Sequence, residues 1–333
     1  MKIKDFVSGV VPSPPDYRDF AYGLLVTAES VPAQYTCEHE YRYPVKNQGK
    51  WGTCVGQACA SVKEIQEARN YPSREPELSP LFVYAECKKR DGIPNQEGTY
   101  PRIAMKVLKE LGICKESLFP YGNINNPLPL TSFESIQDAK NYQIGAYARI
   151  QTMQELKQAI FQQGPVLAAL MVMESIANVD ENGFVPAPGD VSKDKFLGGH
   201  AMCVVGWDDK LSNGLHTGFF RVRNSWGKYW GDKGYCWIPY DYFNWRDADM
   251  GMPLWMESWS SVDVILPTKE TQKMELWIGK DYAIVDGVIV HLDQVPVIDR
   301  ATNRTLVPVR FISEIMGFKV DWDGVTRKIT ISR

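Results

Sequence analysis

No long apolar run occurs in the sequence. The longest, Pro165 to Met173, is well short of the about 20 residues that a bilayer-spanning helix needs, so no membrane span is expected. An excess of one charge is also missing: 37 Lys and Arg stand against 40 Asp and Glu, a formal net charge of −3. That balance gives no electrostatic basis for holding nucleic acid or an acidic membrane. The first eleven residues carry Lys2, Lys4 and Asp5 without the apolar stretch or small-residue cleavage site of an export signal. As written, the chain is expected in the cytosol, or at the cell envelope if a signal has been removed. Close cysteine pairs are absent too. The seven cysteines, at 37, 54, 59, 87, 114, 203 and 236, make no zinc knuckle and are too sparse for a small disulfide scaffold. Their odd number leaves at least one thiol free in a monomer.

At 333 residues, with 44% hydrophobic and 23% charged side chains, the chain reads as two globular domains or one with an appendage. Residues 1–30 form a lead-in whose Val11 to Pro15 stretch favours extended backbone. Helices are predicted over 54–69, over 101–111 with Pro in the first turn and Gly112 past the end, and over 153–163. The last has a capping box in Thr152 and Glu155, with Gly164 and Pro165 as its stop. Residues 165–173, 200–207, 218–223 and 234–239 read as strands. Helices first and strands second argue for an α+β fold. The tryptophans 230, 237, 245, 255 and 259 read as core and inter-lobe packing. A polar linker is expected over 266–273. Beyond it, 274–333 reads as a small α+β module with turns at Asp286-Gly287 and Asp323-Gly324 and a helix near 310–316 ending at Gly317.

Acyl transfer by a thiol needs an activated cysteine, a base, an orienter for the base, and donors for an oxyanion. Cys54 stands where a helix begins, so the positive end of the helix dipole favours its thiolate. His200 follows Gly198-Gly199, glycines that let a substrate backbone come close. Asn224, in Arg223-Asn224-Ser225-Trp226-Gly227, has a carbonyl that can fix the imidazole tautomer. Gln48, six residues before Cys54 across a glycine-rich turn, can join the Cys54 N–H as an oxyanion donor.

Gln48-Gly49-Lys50-Trp51-Gly52-Thr53-Cys54, Gly199-His200-Ala201 with Val204 to Trp207, and Asn224-Ser225-Trp226-Gly227-Lys228-Tyr229-Trp230-Gly231 together resemble the papain-like cysteine peptidases, bacterial branch. His200 lies 146 residues after Cys54, inside the roughly 130–150 of papain and cathepsins. Asn224 lies 170 after it, which a longer hairpin through Asp208 to Thr217 accounts for. Over residues 31–265 the resemblance implies a helical lobe, a β-barrel-like lobe and a cleft between them. It implies Cys54 as nucleophile, His200 as general acid and base, and Asn224 as orienter under Trp226. Gln48 would be the oxyanion donor and Gly98 would pair its backbone with substrate. It implies a peptide or protein substrate and no cofactor.

The chain departs from the family signature at Trp51-Gly52-Thr53-Cys54-Val55, where Cys-Gly-Ser/Ala-Cys-Trp/Tyr is usual. No family disulfide is therefore assumed, and a changed cleft wall bears on substrate preference. Cys37, Cys59, Cys87, Cys114, Cys203 and Cys236 are expected as buried packing, with disulfide pairing second, and His39, His216 and His291 at the surface. Residues 304–312, 320–323 and 326–327 resemble the small domain named after the N-terminal region of copper amine oxidases. With His291 its single histidine and no cysteine, that module argues against a metal site, and envelope association is its suggested role. The rival readings are a papain-shaped binding protein that does not hydrolyse and an envelope structural protein. Residues 1–30 are expected either to run along the cleft as an inhibitory leader or to pack on the outside of a lobe.

Overall fold

A computed structural model describes residues 7–16, 19, 21–24, 30–38, 43–71, 76–246, 253–263, 274–285, 288–292, 294–315, 319–324 and 326–332. The chain divides into two units, Met1–Asp263 and Val264–Arg333.

The first unit opens with strand β1 (Gln34–Thr36) and helices α1 (Cys54–Asn70), α2 (Pro80–Lys88), α3 (Pro101–Glu110) and α4 (Phe133–Ala139). Every residue of α1 from Cys54 to Ala68 is buried, so this helix shows no single apolar stripe. Its polar residues are covered because they are paired. Lys63 meets Glu67 at 2.7 Å, Lys46 reaches Glu64 at 2.8 Å, and the Gln66 amide donates to the Ser261 carbonyl at 2.9 Å. Helix α2 starts on Ser79, whose hydroxyl accepts from the Phe82 N–H, with Pro80 in the first turn.

Strands β2 (Ile144–Ile150), β3 (Val166–Met173), β4 (Phe196–Ser212), β5 (Thr217–Arg223), β6 (Tyr235–Pro239) and β7 (Trp255–Asp263) follow, with α5 (Met153–Gln163) and the short α6 (Asp241–Asn244) between them. The capping box of Thr152 and Glu155 forms as the sequence suggests. The strands form one antiparallel sheet in the order β2-β7-β3-β4-β5-β6, with β1 beside β4. Two features alter the sequence-based outline. The histidine strand starts at Phe196 rather than His200, and β7, read only as packing tryptophans, is a central strand. Its serines and Glu257 break the apolar pattern, yet Glu257 is 4% exposed and accepts from the Trp259 indole N–H at 2.7 Å. Helix α1 packs across β4, which sets the helix start beside the head of that strand.

The second unit holds a three-stranded antiparallel sheet, β8 (Met274–Leu276), β9 (Tyr282–Val285) and β10 (Val288–His291), in the order β10-β9-β8. Hairpin β11 (Val297–Asp299)–β12 (Arg304–Leu306), helix α7 (Val309–Ile315) and hairpin β13 (Lys319–Asp323)–β14 (Lys328–Ser332) complete it. Ala283 and Val285 centre its core, packed by Met274, Leu276, Val290, Leu292 and Phe311. The expected linker 266–273, the Asp286-Gly287 turn and Gly317 lie outside the described residues.

Candidate active site

Cys54 is the first residue of α1 and fully buried. The preceding turn is anchored at Gln48, 1% exposed, whose backbone N–H donates to the Ser225 carbonyl at 2.9 Å. The Gln48 side-chain carbonyl accepts from the Ser225 hydroxyl at 2.7 Å, and its amide donates to the Trp51 carbonyl at 3.0 Å. An amide nitrogen carries two hydrogens, so a second N–H remains for another acceptor.

His200 lies near the head of β4, where Ala201 pairs with Ala169 of β3. Its Nε2 is 2.7 Å from Asn224 Oδ1. The same oxygen accepts from the Ser225 backbone N–H at 2.7 Å, which orients the Asn224 amide with oxygen toward the ring. An oxygen can only accept, so Nε2 carries the proton and Nδ1 is the basic nitrogen. Trp226 stacks on the imidazole with ring centroids 4.8 Å apart at 29° and is 5% exposed, which keeps water from that hydrogen bond.

Electrostatics of the closed site favour neutral partners. Burial pushes the Cys54 thiol up to about 12, although backbone N–H groups of Ala201, Val55 and Gly9 around the sulfur oppose it. Burial pulls His200 down to about 4, against the Asn224 hydrogen bond.

What covers the site is the N-terminal segment. Gly9 lies against Cys54, and a side chain there would collide with Cys54 Sγ and the Gly52 carbonyl. Val10 forms a parallel bridge with Thr99. The Thr99 N–H donates to the Gly9 carbonyl at 3.2 Å, and the Val11 N–H donates to the Thr99 carbonyl at 3.1 Å. Ser8 Oγ donates to the Gly199 carbonyl at 3.0 Å and stands 3.1 Å from the Gly199 N–H. Further along, the Ser13 N–H donates to Glu257 and Asp19 meets Arg102 at 2.6 Å. Tyr17 and Arg18 lie outside the described residues.

Cys54, His200, Asn224, Gln48, Gly199 and Trp226 thus converge, and Gly98 flanks them. The cleft-edge hydrogen bonds are made by Thr99, whereas Gly98 (φ +85°) provides room, since a side chain there would strike Gly9. Sequence reasoning missed Thr99 because its contribution is backbone, which residue type does not report. It also missed Ser225, which serves both Gln48 and Asn224, although its place beside Asn224 was a usable signal.

All seven cysteines are buried, and the Cys37 thiol donates to the Val205 carbonyl at 3.1 Å. His216 is pinned by Asp241 at 2.6 Å and Asp190 at 2.9 Å, and His39 lies outside the described residues. Among the described residues no three His, Cys, Asp or Glu side chains gather as a metal set.

The sequence matches the papain family cysteine protease profile over residues 31–249 and the copper amine oxidase N-terminal domain profile over 255–331. The second match begins on β7, which by its pairing belongs to the first unit's sheet. An uncharacterized peptidase C1-like protein of Acanthamoeba polyphaga mimivirus is 27% identical over 224 residues, covering 63% of this chain and 68% of that protein. Cathepsin J of Mus musculus is 28% identical, covering 69% of this chain and 62% of the cathepsin. Among solved structures, xylellain, a cysteine protease from Xylella fastidiosa, superposes with a TM-score of 0.63 at 28% identity. That match covers 77% of this chain and 96% of the other.

Proposed function

The chain belongs to the papain family of cysteine proteases, and from that membership we propose that it hydrolyses peptide bonds in peptides or proteins through a thioester acyl-enzyme. In this reading His200 Nδ1 takes the Cys54 proton as sulfur attacks the substrate carbonyl carbon. The oxygen gains the electron pair as an anion, facing the free Gln48 amide N–H and the Cys54 backbone N–H. Collapse expels the amine, which receives the proton from His200, and leaves the acyl group on sulfur. Water, deprotonated by His200, then releases the acid and restores the thiol. Asn224 and Trp226 hold the imidazole in the one tautomer that can serve each step.

The observation that carries this reading is the shared Asn224 oxygen, which takes the His200 Nε2–H and the Ser225 N–H and leaves Nδ1 as base. The test is labelling by an irreversible epoxysuccinyl thiol-peptidase inhibitor. Cys54→Ala is expected to abolish both labelling and peptide hydrolysis, and labelling that persists in this variant assigns the nucleophile elsewhere.

Residues 1–30 fit an inhibitory leader, supported by Gly9 over Cys54 and by the Ser8, Gly9 and Val11 hydrogen bonds along the cleft. The second unit fits an attachment or interaction module, in keeping with envelope association. Trp322, Ile329 and Ile331 are 54%, 50% and 46% exposed on its β13–β14 hairpin, an apolar surface suited to a partner.

A further inference from the structure

The turn that joins Gln48 to Cys54 is weakly braced from within. Its internal backbone hydrogen bonds are a long one, Trp51 N–H to Gln48 carbonyl at 3.4 Å, and Thr53 N–H to Trp51 carbonyl at 2.8 Å. Thr53 occupies the cap position of α1, yet its side chain caps nothing in the helix. Its hydroxyl lies instead 2.7 Å from the Tyr121 hydroxyl. That phenol in turn donates to the Gln48 carbonyl at 2.8 Å. A phenol has one proton, already directed to Gln48, so the Thr53 hydroxyl donates to Tyr121. The result is a relay, Thr53 to Tyr121 to Gln48, that ties both ends of the nucleophile turn to one rigid aromatic ring.

The ring is itself held. Tyr121 follows Pro120, its backbone N–H donates to Glu116 at 2.6 Å, and it packs on the cluster of Leu81, Phe82 and Phe119. Burial raises its pKa, so it remains a protonated donor across the working pH range. The two hydroxyl hydrogen bonds, to Thr53 and Gln48, both end on the turn, which is where its influence on chemistry is exerted.

We infer that Tyr121 is a positioning residue for the reaction, which fixes the Gln48 amide relative to the Cys54 N–H by clamping residues 48 and 53. The inference rests on the peptidase reading, in which those two groups bind the oxyanion. Oxyanion donors act on the transition state, so a slackened turn lowers kcat more than it raises KM.

The experiment is Tyr121→Phe, which removes only the hydroxyl, alone and combined with Gln48→Ala in the full chain. Rates on a short fluorogenic peptide are normalised by epoxysuccinyl titration of active sites. In the otherwise unchanged chain, kcat is expected to fall by about 5- to 30-fold with KM within about twofold, the range for a displaced catalytic group. In the Gln48→Ala background the same change is expected to cost less than about twofold, because the donor it positions is gone. An unchanged kcat with a lowered melting temperature, or fully additive effects of the two substitutions, overturns the positioning role. A parent chain that neither hydrolyses peptide nor labels at Cys54, even after the segment before Val31 has been removed, contradicts the peptidase reading itself.

Discussion

At the scale of single residues, the site depends on what each side chain is already bonded to. Gln48 spends one amide hydrogen on Trp51 and its carbonyl on Ser225, which fixes the direction of the remaining N–H. Gln48→Ala is therefore expected to lower kcat by on the order of 10²–10³ with little change in KM, measured as initial rates on a short peptide. A change confined to KM would show that Gln48 binds the ground state instead. Residue type singled out Cys54, His200, Asn224 and Gln48 as candidates, because few side chains can supply a thiolate, a base near neutrality, or a neutral orienting carbonyl. Thr99 was not legible, since a backbone hydrogen bond leaves no trace in residue identity.

At the scale of elements, the extended leader and the sheet show how burial tunes reactivity. Buried as it is in the covered site, His200 binds a proton only near pH 4, whereas an exposed imidazole does so near 6.5. Acid therefore favours the uncovered form as pH falls from 6.5 toward 4. The thiol, held up to about 12, works in the opposite direction, so alkali above about 9 also favours uncovering. The covered form is expected to be tightest between these limits. A chain beginning at Val31 is predicted to hydrolyse peptide faster than the full chain at pH 7, with a smaller advantage near pH 5. Equal rates at pH 7, or loss of folding on truncation, would make the segment structural. Helices α1, α3 and α5 were readable from caps, prolines and glycines, while β7 was not: a strand whose own serines and Glu257 are buried beside its tryptophans has no two-residue alternation to report.

For the whole molecule, the proposed catalytic set lies within Met1–Asp263, and the second unit has its own small core. A chain ending at Pro267 is predicted to keep its specific activity on a short peptide, compared at equal titrated active sites. Total loss in a truncation that remains folded by circular dichroism would show that the second unit completes the cleft.

Residue identity and order alone determined the α+β class, the papain-like succession of glutamine turn, cysteine at a helix start, histidine strand and asparagine turn, and the small module behind them. Such features are local: a dipole at a helix start, a glycine before a histidine and a capping box each act within a few residues of chain. Only the tertiary structure decided that β7 lies between β2 and β3, that Thr99 rather than Gly98 makes the cleft-edge bonds, and that Tyr121 braces a turn 73 residues away. It also decided that Gly9 lies over Cys54 and that burial of the site holds thiol and imidazole neutral. These outcomes depend on which distant segments meet and on how much water their meeting excludes, quantities set by packing and not by any single stretch of sequence.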